Sequence, residues 1–265
     1  SVRAGETHTH IIIIIIIMDC GCDCADFAQP NAILFNILSR GEFSYKRVPQ
    51  TCHCEKRRRV CLQTPSETCA LASDVLVKTV YFMKNLPAFQ QLPPKDQLKL
   101  LQNCWTPLFI LGLAQDRVHF QVDESAAPSM LKRILLSGQE SAGADSEQPT
   151  LAGVQTLKSC INKFWSLDLS PKEYAYLKGT VIFNPDVPDL KASLFVEGLQ
   201  YEAQQALKEV LVPLYPQDGG RFARILLTAS TLKSITPSLI TELFFRPVIG
   251  DAQILDLLAD MLFSR

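Results

Sequence analysis

The side chains of this chain that are best suited to chemistry are aliphatic, and the chemistry they suit is reversible hydrophobic binding. Leu34, Ile37 and Leu38 follow the spacing i, i+3, i+4, so they lie on one side of a single helical turn. Asn31 can cap the start of that helix. An apolar ridge of this kind fits a hydrophobic groove on a partner protein. Burial of three large aliphatic side chains is worth about 5–9 kcal/mol before the segment is ordered, which suits a reversible contact.

A second motif with this spacing consists of Leu131, Ile134 and Leu135. It lies inside the region of helical periodicity, where apolar residues at this spacing are commonly core, so core packing and partner binding stay equally open for it. The first motif lies in a polar arm with little core to join. We therefore predict that the first motif binds a partner. The alternative is that it docks on the chain's own domain as a substitute first helix.

The C-terminal segment carries a longer apolar stripe. Its members recur at spacings of three and four, which predicts one face of an amphipathic helix: Ile254, Leu257, Leu258, Met261 and Leu262. Asp251 can cap the start of this helix. The pattern fits an ordinary amphipathic terminal helix and equally fits a helix that forms part of a binding groove.

Residue patterns typical of enzymes and of metal sites do not occur in the sequence. It contains no Gly-x-Ser-x-Gly, phosphate loop, Gly-x-Gly-x-x-Gly or His-Glu-x-x-His. Of the nine cysteines, five form Cys-x-Cys arrays rather than the Cys-x-x-Cys pairs that close a zinc tetrahedron: Cys20, Cys22, Cys24, Cys52 and Cys54. We therefore predict that the chain is not an enzyme, has no catalytic residue, and needs neither metal nor cofactor.

The overall composition is that of an ordinary core-forming protein, with 47% hydrophobic and 20% charged residues. The net charge is −1, so no global field attracts DNA or an anionic membrane, and we expect no direct DNA binding. The longest isoleucine run, residues 11–17, is too short to span a bilayer, and no membrane contact is expected.

Three parts can be distinguished along the chain. Residues 1–17 are predicted to be a non-native leader, with Met18 as the natural start. Residues 18–65 are rich in Cys, Ser, Arg and turn residues, which predicts a flexible N-terminal arm that carries the Leu34 motif. Residues 66–265 show helical periodicity almost throughout and are predicted to form one folded domain.

Proline and glycine mark the predicted helix ends within this domain. One helix ends before Pro87, and the next opens behind Pro93-Pro94. The segment Arg117–Val122 alternates between apolar and polar residues and predicts a strand or a hairpin arm. The segment Ser137–Thr150 has no apolar side chain larger than alanine and predicts a flexible loop.

Four blocks, in a fixed order, carry a resemblance to a known family: Thr79–Trp105, Leu167–Asp186, Gly220–Ile235 and Glu242–Leu262. They resemble the ligand-binding domain of nuclear receptors and together cover about residues 66–265. The resemblance implies an all-α, three-layer antiparallel helical sandwich with a short β-hairpin. Because the arm lacks the paired Cys-x-x-Cys sites of the family's DNA-binding module, the chain most resembles the atypical orphan receptors without that module.

The resemblance also implies a groove for a partner's helix. In the family, a lysine near the C-terminal carbonyls of the bound helix and a carboxylate near its N-terminal amides clamp the two ends. Lys84 matches the lysine, and Asp260 stands where the family usually has glutamate, whose side chain is longer by one methylene. The implied groove residues are Lys84, Leu257, Leu258, Asp260, Met261 and Leu262.

The function that the resemblance implies is transcriptional corepression. Such a chain would bind other nuclear receptors, displace coactivators and recruit corepressor proteins, in the nucleus and also in the cytoplasm, with bile-acid and cholesterol genes as targets. Hetero- and homodimers both stay open. The alternative is a receptor controlled by a small hydrophobic ligand. The family's interior cavity would then have to be free of the aromatic side chains that could fill it: Phe82, Phe109, Phe164 and Trp165.

Overall fold

The structure, a computed structural model, describes residues 60–124 and 149–264. The two strands are β1 (Val60–Leu62) and β2 (Val122–Glu124). The helices before the last third are α1 (Pro65–Lys84), α2 (Pro87–Gln90), α3 (Pro94–Gln115), α4 (Leu151–Leu167), α5 (Pro171–Ile182) and α6 (Ser193–Leu214). The later ones are α7 (Arg221–Ser230), α8 (Pro237–Ile240), α9 (Arg246–Ile249) and α10 (Ile254–Phe263).

Helix α3 forms the middle layer because its second half is apolar on all sides. Every residue from Leu108 to Ala114 is buried, which is expected only of a helix enclosed by other helices. Helices α1, α4 and α5 each contact α3, and α5 is itself covered by α6. The predicted all-α, three-layer sandwich is therefore confirmed.

The strands form an antiparallel pair in which Val60 faces Glu124 and Leu62 faces Val122. The predicted strand Arg117–Val122 is wrong in its bounds, because only its last residue belongs to β2. Its alternation reflects burial instead: Val118 and Phe120 point into the core but find no ladder partner. The expected β pair thus joins residues about 60 positions apart, and β1 belongs to the segment that was assigned to the arm.

The chain between α7 and α10 is broken into short helical pieces. A 3-10 turn (Thr231–Ser234) leads to α8, where Thr236 caps the helix by accepting a hydrogen bond from the amide of Leu239 at 3.3 Å. A π-helical turn (Thr241–Phe245) then directs Phe244 and Phe245 inward. The last break, at Gly250, has φ 58°, a conformation that glycine adopts without strain.

Candidate functional site

Lys84 is the last residue of α1, and its ammonium group lies at the C-terminal end of α10. It donates to the carbonyl oxygen of Met261 at 3.4 Å, to the carbonyl oxygen of Ser264 over a short distance, and to the hydroxyl of Ser264 at 3.4 Å. A cation at this end of a helix meets the unpaired carbonyls and the negative end of the helix dipole. The structure therefore brings together Lys84 and Met261 of the last helix, which are 177 residues apart in the sequence.

Helix α10 lies against α1 and α3 through its apolar stripe. Ile254, Leu258 and Leu262 are buried, with Leu258 fully enclosed. Leu257 is exposed at its edge and Met261 is half-buried. Asp260 is exposed. The helix thus occupies the groove between α1 and α3, with Lys84 at the end where the family resemblance puts the C-terminus of a partner's helix.

Two polar side chains at the start of α3 tie this helix to neighbouring segments. Gln97 of α3 donates to the carbonyl oxygens of Phe89 at 3.1 Å and Leu92 at 3.0 Å, which fixes the turn that joins α1 to α3. Asp96 is fully buried and accepts hydrogen bonds from the amides of Lys191 and Ala192 at 3.1 and 2.9 Å. Sequence reasoning gave these two residues no role, although the Asp-Gln pair between two prolines and an apolar run was a visible signal.

Comparison with known proteins assigns this architecture. Residues 60–249 match the family model described as the ligand-binding domain of nuclear hormone receptor. The chain is 54% identical over 247 residues to the human protein named nuclear receptor subfamily 0 group B member 2, covering 91% of this chain and 96% of the relative. The chain belongs to the nuclear hormone receptor family. The rat protein of the same name is also 54% identical, over 250 residues.

A second group of nuclear receptors is related to this chain more distantly. The macaque protein named nuclear receptor subfamily 0 group B member 1 is 40% identical over 226 residues, which cover 78% of this chain and 48% of that relative. These relatives support an orphan nuclear receptor that acts in transcription regulation, in a family that is typically not enzymatic. They indicate a nuclear location and nuclear receptors as partners.

The interior of this receptor domain, where members of the family can enclose a ligand, is packed with aromatic rings. Phe109 meets Phe244 and Phe245 edge to face, with centroids 5.6 and 5.2 Å apart, and Trp105 meets Phe245 at 6.5 Å. Of the four side chains expected to fill this space, Phe109 and Phe164 are fully buried. Phe82 and Trp165 are only partly buried and pack at the edge of the core.

The thiol of Cys104, on α3, is buried in the core and packs as an apolar group. Burial raises its pKa well above the ordinary range, so the thiol stays uncharged at neutral pH and is a poor nucleophile. Within residues 60–124 and 149–264, no group of three His, Cys, Asp or Glu side chains is arranged to hold a metal ion. No helix in this part of the chain is long and apolar enough to cross a membrane.

Both predicted receptor-binding motifs lie outside the described residues. They comprise Leu34, Ile37 and Leu38 in the arm, and Leu131, Ile134 and Leu135 between β2 and α4. The same is true of the proposed leader and of the five clustered cysteines. These assignments stay predictions. A further depression on the described surface is open, polar and lined only by α4: Gln155, Lys158, Ser159, Asn162, Lys163 and Ser166.

Proposed function

We propose that this receptor is a transcriptional corepressor that inserts the Leu34 helix into the activation groove of other nuclear receptors. There it would exclude the coactivators that use the same groove. The observation that carries the proposal is the seat of α10: this domain holds an apolar helix between α1 and α3, with Lys84 at its C-terminal end. A helix bearing Leu34, Ile37 and Leu38 has the same i, i+3, i+4 spacing as Leu258, Met261 and Leu262 of α10.

In this proposal, corepressor proteins bind in the groove of this chain, and they can do so only after α10 has moved. As the molecule stands, α10 fills the space that a partner helix would need. Once α10 has swung aside, Lys84 can meet the C-terminal carbonyls of a partner helix, and Asp260 on the displaced α10 is the candidate for its N-terminal amides. Corepressor recruitment is then a competition between α10 and the partner's helix for the same groove.

Constitutive activity fits the interior better than control by a small hydrophobic ligand. Trp105, Phe109 and Phe245 are each no more than 2% exposed and pack against one another. A ligand would have to displace these rings, whose mutual contacts are worth about 0.5–1.5 kcal/mol per pair beyond their area burial. No observation on the described residues favours the ligand-controlled alternative.

The wider setting of the proposal is the one that the family resemblance implies. The partners are other nuclear receptors and corepressor proteins, the targets are genes of bile-acid and cholesterol metabolism, and the protein acts in the nucleus and also in the cytoplasm. Homodimers and heterodimers both fit a chain that carries a binding helix on its arm and a groove on its domain.

The test is a binding measurement with the double variant Leu34→Ala/Leu38→Ala. Agonist-loaded ligand-binding domains of other nuclear receptors are titrated with the wild-type and variant chains by calorimetry. Loss of two buried leucines should cost about 3–6 kcal/mol, which is at least a hundredfold in Kd.

Two control variants make this measurement specific. Leu71→Ala removes an exposed leucine from α1 and should leave Kd unchanged. The double variant Leu131→Ala/Leu135→Ala reports on the second motif in the same assay. An unchanged affinity for the Leu34→Ala/Leu38→Ala chain would exclude the arm as the main contact.

A further inference from the structure

The sequence contains four serine or threonine residues that directly precede proline, the dipeptide that proline-directed kinases recognise: Thr64-Pro65, Thr106-Pro107, Ser170-Pro171 and Thr236-Pro237. All four lie within the described residues, so the structure can rank them by access to the hydroxyl group. A kinase needs a side chain that reaches solvent and is free to leave its present contacts.

Three of the four hydroxyl groups are either buried or serve as helix caps. Thr106 lies inside α3 and is 2% exposed. Ser170 forms a reciprocal capping box with Glu173, in which each side chain bonds the other's backbone amide. Thr236 accepts a hydrogen bond from Leu239 as the cap of α8. Phosphorylation at Ser170 or Thr236 would have to break a cap, and Thr106 is out of reach.

Thr64 differs from the other three in exposure and in bonding. It lies in an exposed run of five residues, 63–67, at the bend between β1 and α1. Its side chain does not cap α1, and its hydroxyl shares a single hydrogen bond of 3.3 Å with the hydroxyl of Thr68. No helix cap is lost when this hydroxyl reacts.

We propose that Thr64 is a phosphorylation site for a proline-directed serine/threonine kinase. The hydroxyl oxygen of Thr64 attacks the γ-phosphorus of ATP, and the bond from that phosphorus to the β,γ-bridging oxygen breaks. ADP leaves, and the hydroxyl proton passes to the kinase's catalytic base. This modification is independent of the receptor-binding function proposed above.

The phosphate would act as the missing cap of α1. It brings a charge of about −1.5 to −2 to the positive end of a 20-residue helix, whose first amides receive no side-chain hydrogen bond. Glu67 in the first turn carries a like charge and reduces the gain. We therefore expect the phosphorylated chain to melt higher by about 1–3 °C, since a helix-terminal charge adds a small increment to stability.

The experiment uses the full chain, ATP and two purified proline-directed kinases, a mitogen-activated protein kinase and a cyclin-dependent kinase. Mass spectrometry maps the phosphate after proteolysis, and Tm is measured before and after labelling. The expected result is stoichiometric phosphate on Thr64, its loss in Thr64→Ala, and at least a tenfold slower labelling in Pro65→Ala, which keeps the hydroxyl. The control Thr236→Ala should be labelled at the wild-type rate.

Two outcomes would overturn the assignment. One is that neither kinase labels Thr64 while the chain remains folded by circular dichroism. The other is that the phosphate appears mainly on Ser170 or Thr236. In that case the helix caps would open often enough to make these hydroxyls more accessible to the kinase than that of Thr64. A phosphorylated chain with lower Tm would retain the site but refute its role as a cap of α1.

Discussion

The guanidinium group of Arg221, at the start of α7, joins three parts of the domain. Its Nε donates to the carboxylate of Glu173 at 2.9 Å, and its Cζ atom lies 4.0 Å from the ring centroid of Tyr215. Glu173 is fully buried, and its other oxygen accepts from the amide of Ser170 at 2.7 Å. Glu173 therefore takes part both in the ion pair with Arg221 and in the cap of α5. Through this pair, Arg221 links α7 to α5.

Removal of this charge is expected to be costly. Arg221→Ala leaves the Glu173 carboxylate buried without its cation, and breaking a buried pair in this way typically costs about 3–5 kcal/mol. Urea unfolding followed by circular dichroism measures the loss. Arg224→Ala is the matched control, since its partner Asp218 lies at the surface, and its loss should be about 1 kcal/mol or less. Equal losses in the two variants would refute the structural role given to Arg221.

At the scale of elements, α1 and α3 lie so close at Gly112 that a side chain there would meet α1. A Cβ atom built on Gly112 would lie 2.6 Å from Cγ1 of Val75, closer than real side chains approach. Glycine at this position lets the backbone of α3 lie directly against α1. Because α1 and α3 are the walls of the proposed groove, their spacing would also set the width available to an inserted helix.

Gly112→Ala should therefore destabilise the domain although alanine is the better helix former. The clash costs about 1–3 kcal/mol, and the gain in helix propensity offsets about 1 kcal/mol of it. Gly198 of α6 is the control, since a Cβ there meets nothing within 4 Å. Gly198→Ala should raise Tm while Gly112→Ala lowers it, as measured by differential scanning calorimetry. A rise in both would show that Val75 moves aside at no cost.

The elements that sequence reasoning could predict are those specified by local residues. The apolar stripe of α10, the end of α1 before Pro87 and the start of α3 at Pro94 are each determined by residues a few positions apart. The partner of β2 was not predictable, because β1 lies about 60 residues earlier and only the tertiary fold brings them together. The contact of Lys84 with Ser264 spans 180 residues, so a motif could suggest a groove but not its present occupant.

At the scale of the whole molecule, the proposed function makes α10 a competitor of the partner's helix for the same groove. The last helix lies on α1 and on the central α3. Intramolecular contact gives α10 a high effective concentration at the groove, so a free peptide must overcome it to bind. The apparent association constant for a partner helix is therefore the intrinsic one multiplied by the fraction of molecules in which α10 has left the groove.

Loosening α10 should raise the affinity of this groove for a partner's helix. Leu258→Ala/Leu262→Ala removes two buried anchors of α10, which hold it by about 1.5–3 kcal/mol each, and leaves Lys84 in place. Binding of a fluorescent Leu-x-x-Leu-Leu peptide, followed by anisotropy, should tighten by tenfold or more. Asp256→Ala is the control, because Asp256 lies on the exposed face of α10 and does not anchor it. If the double variant binds the peptide no better than wild type, α10 does not compete for the groove, and its position is only that of a structural terminal helix.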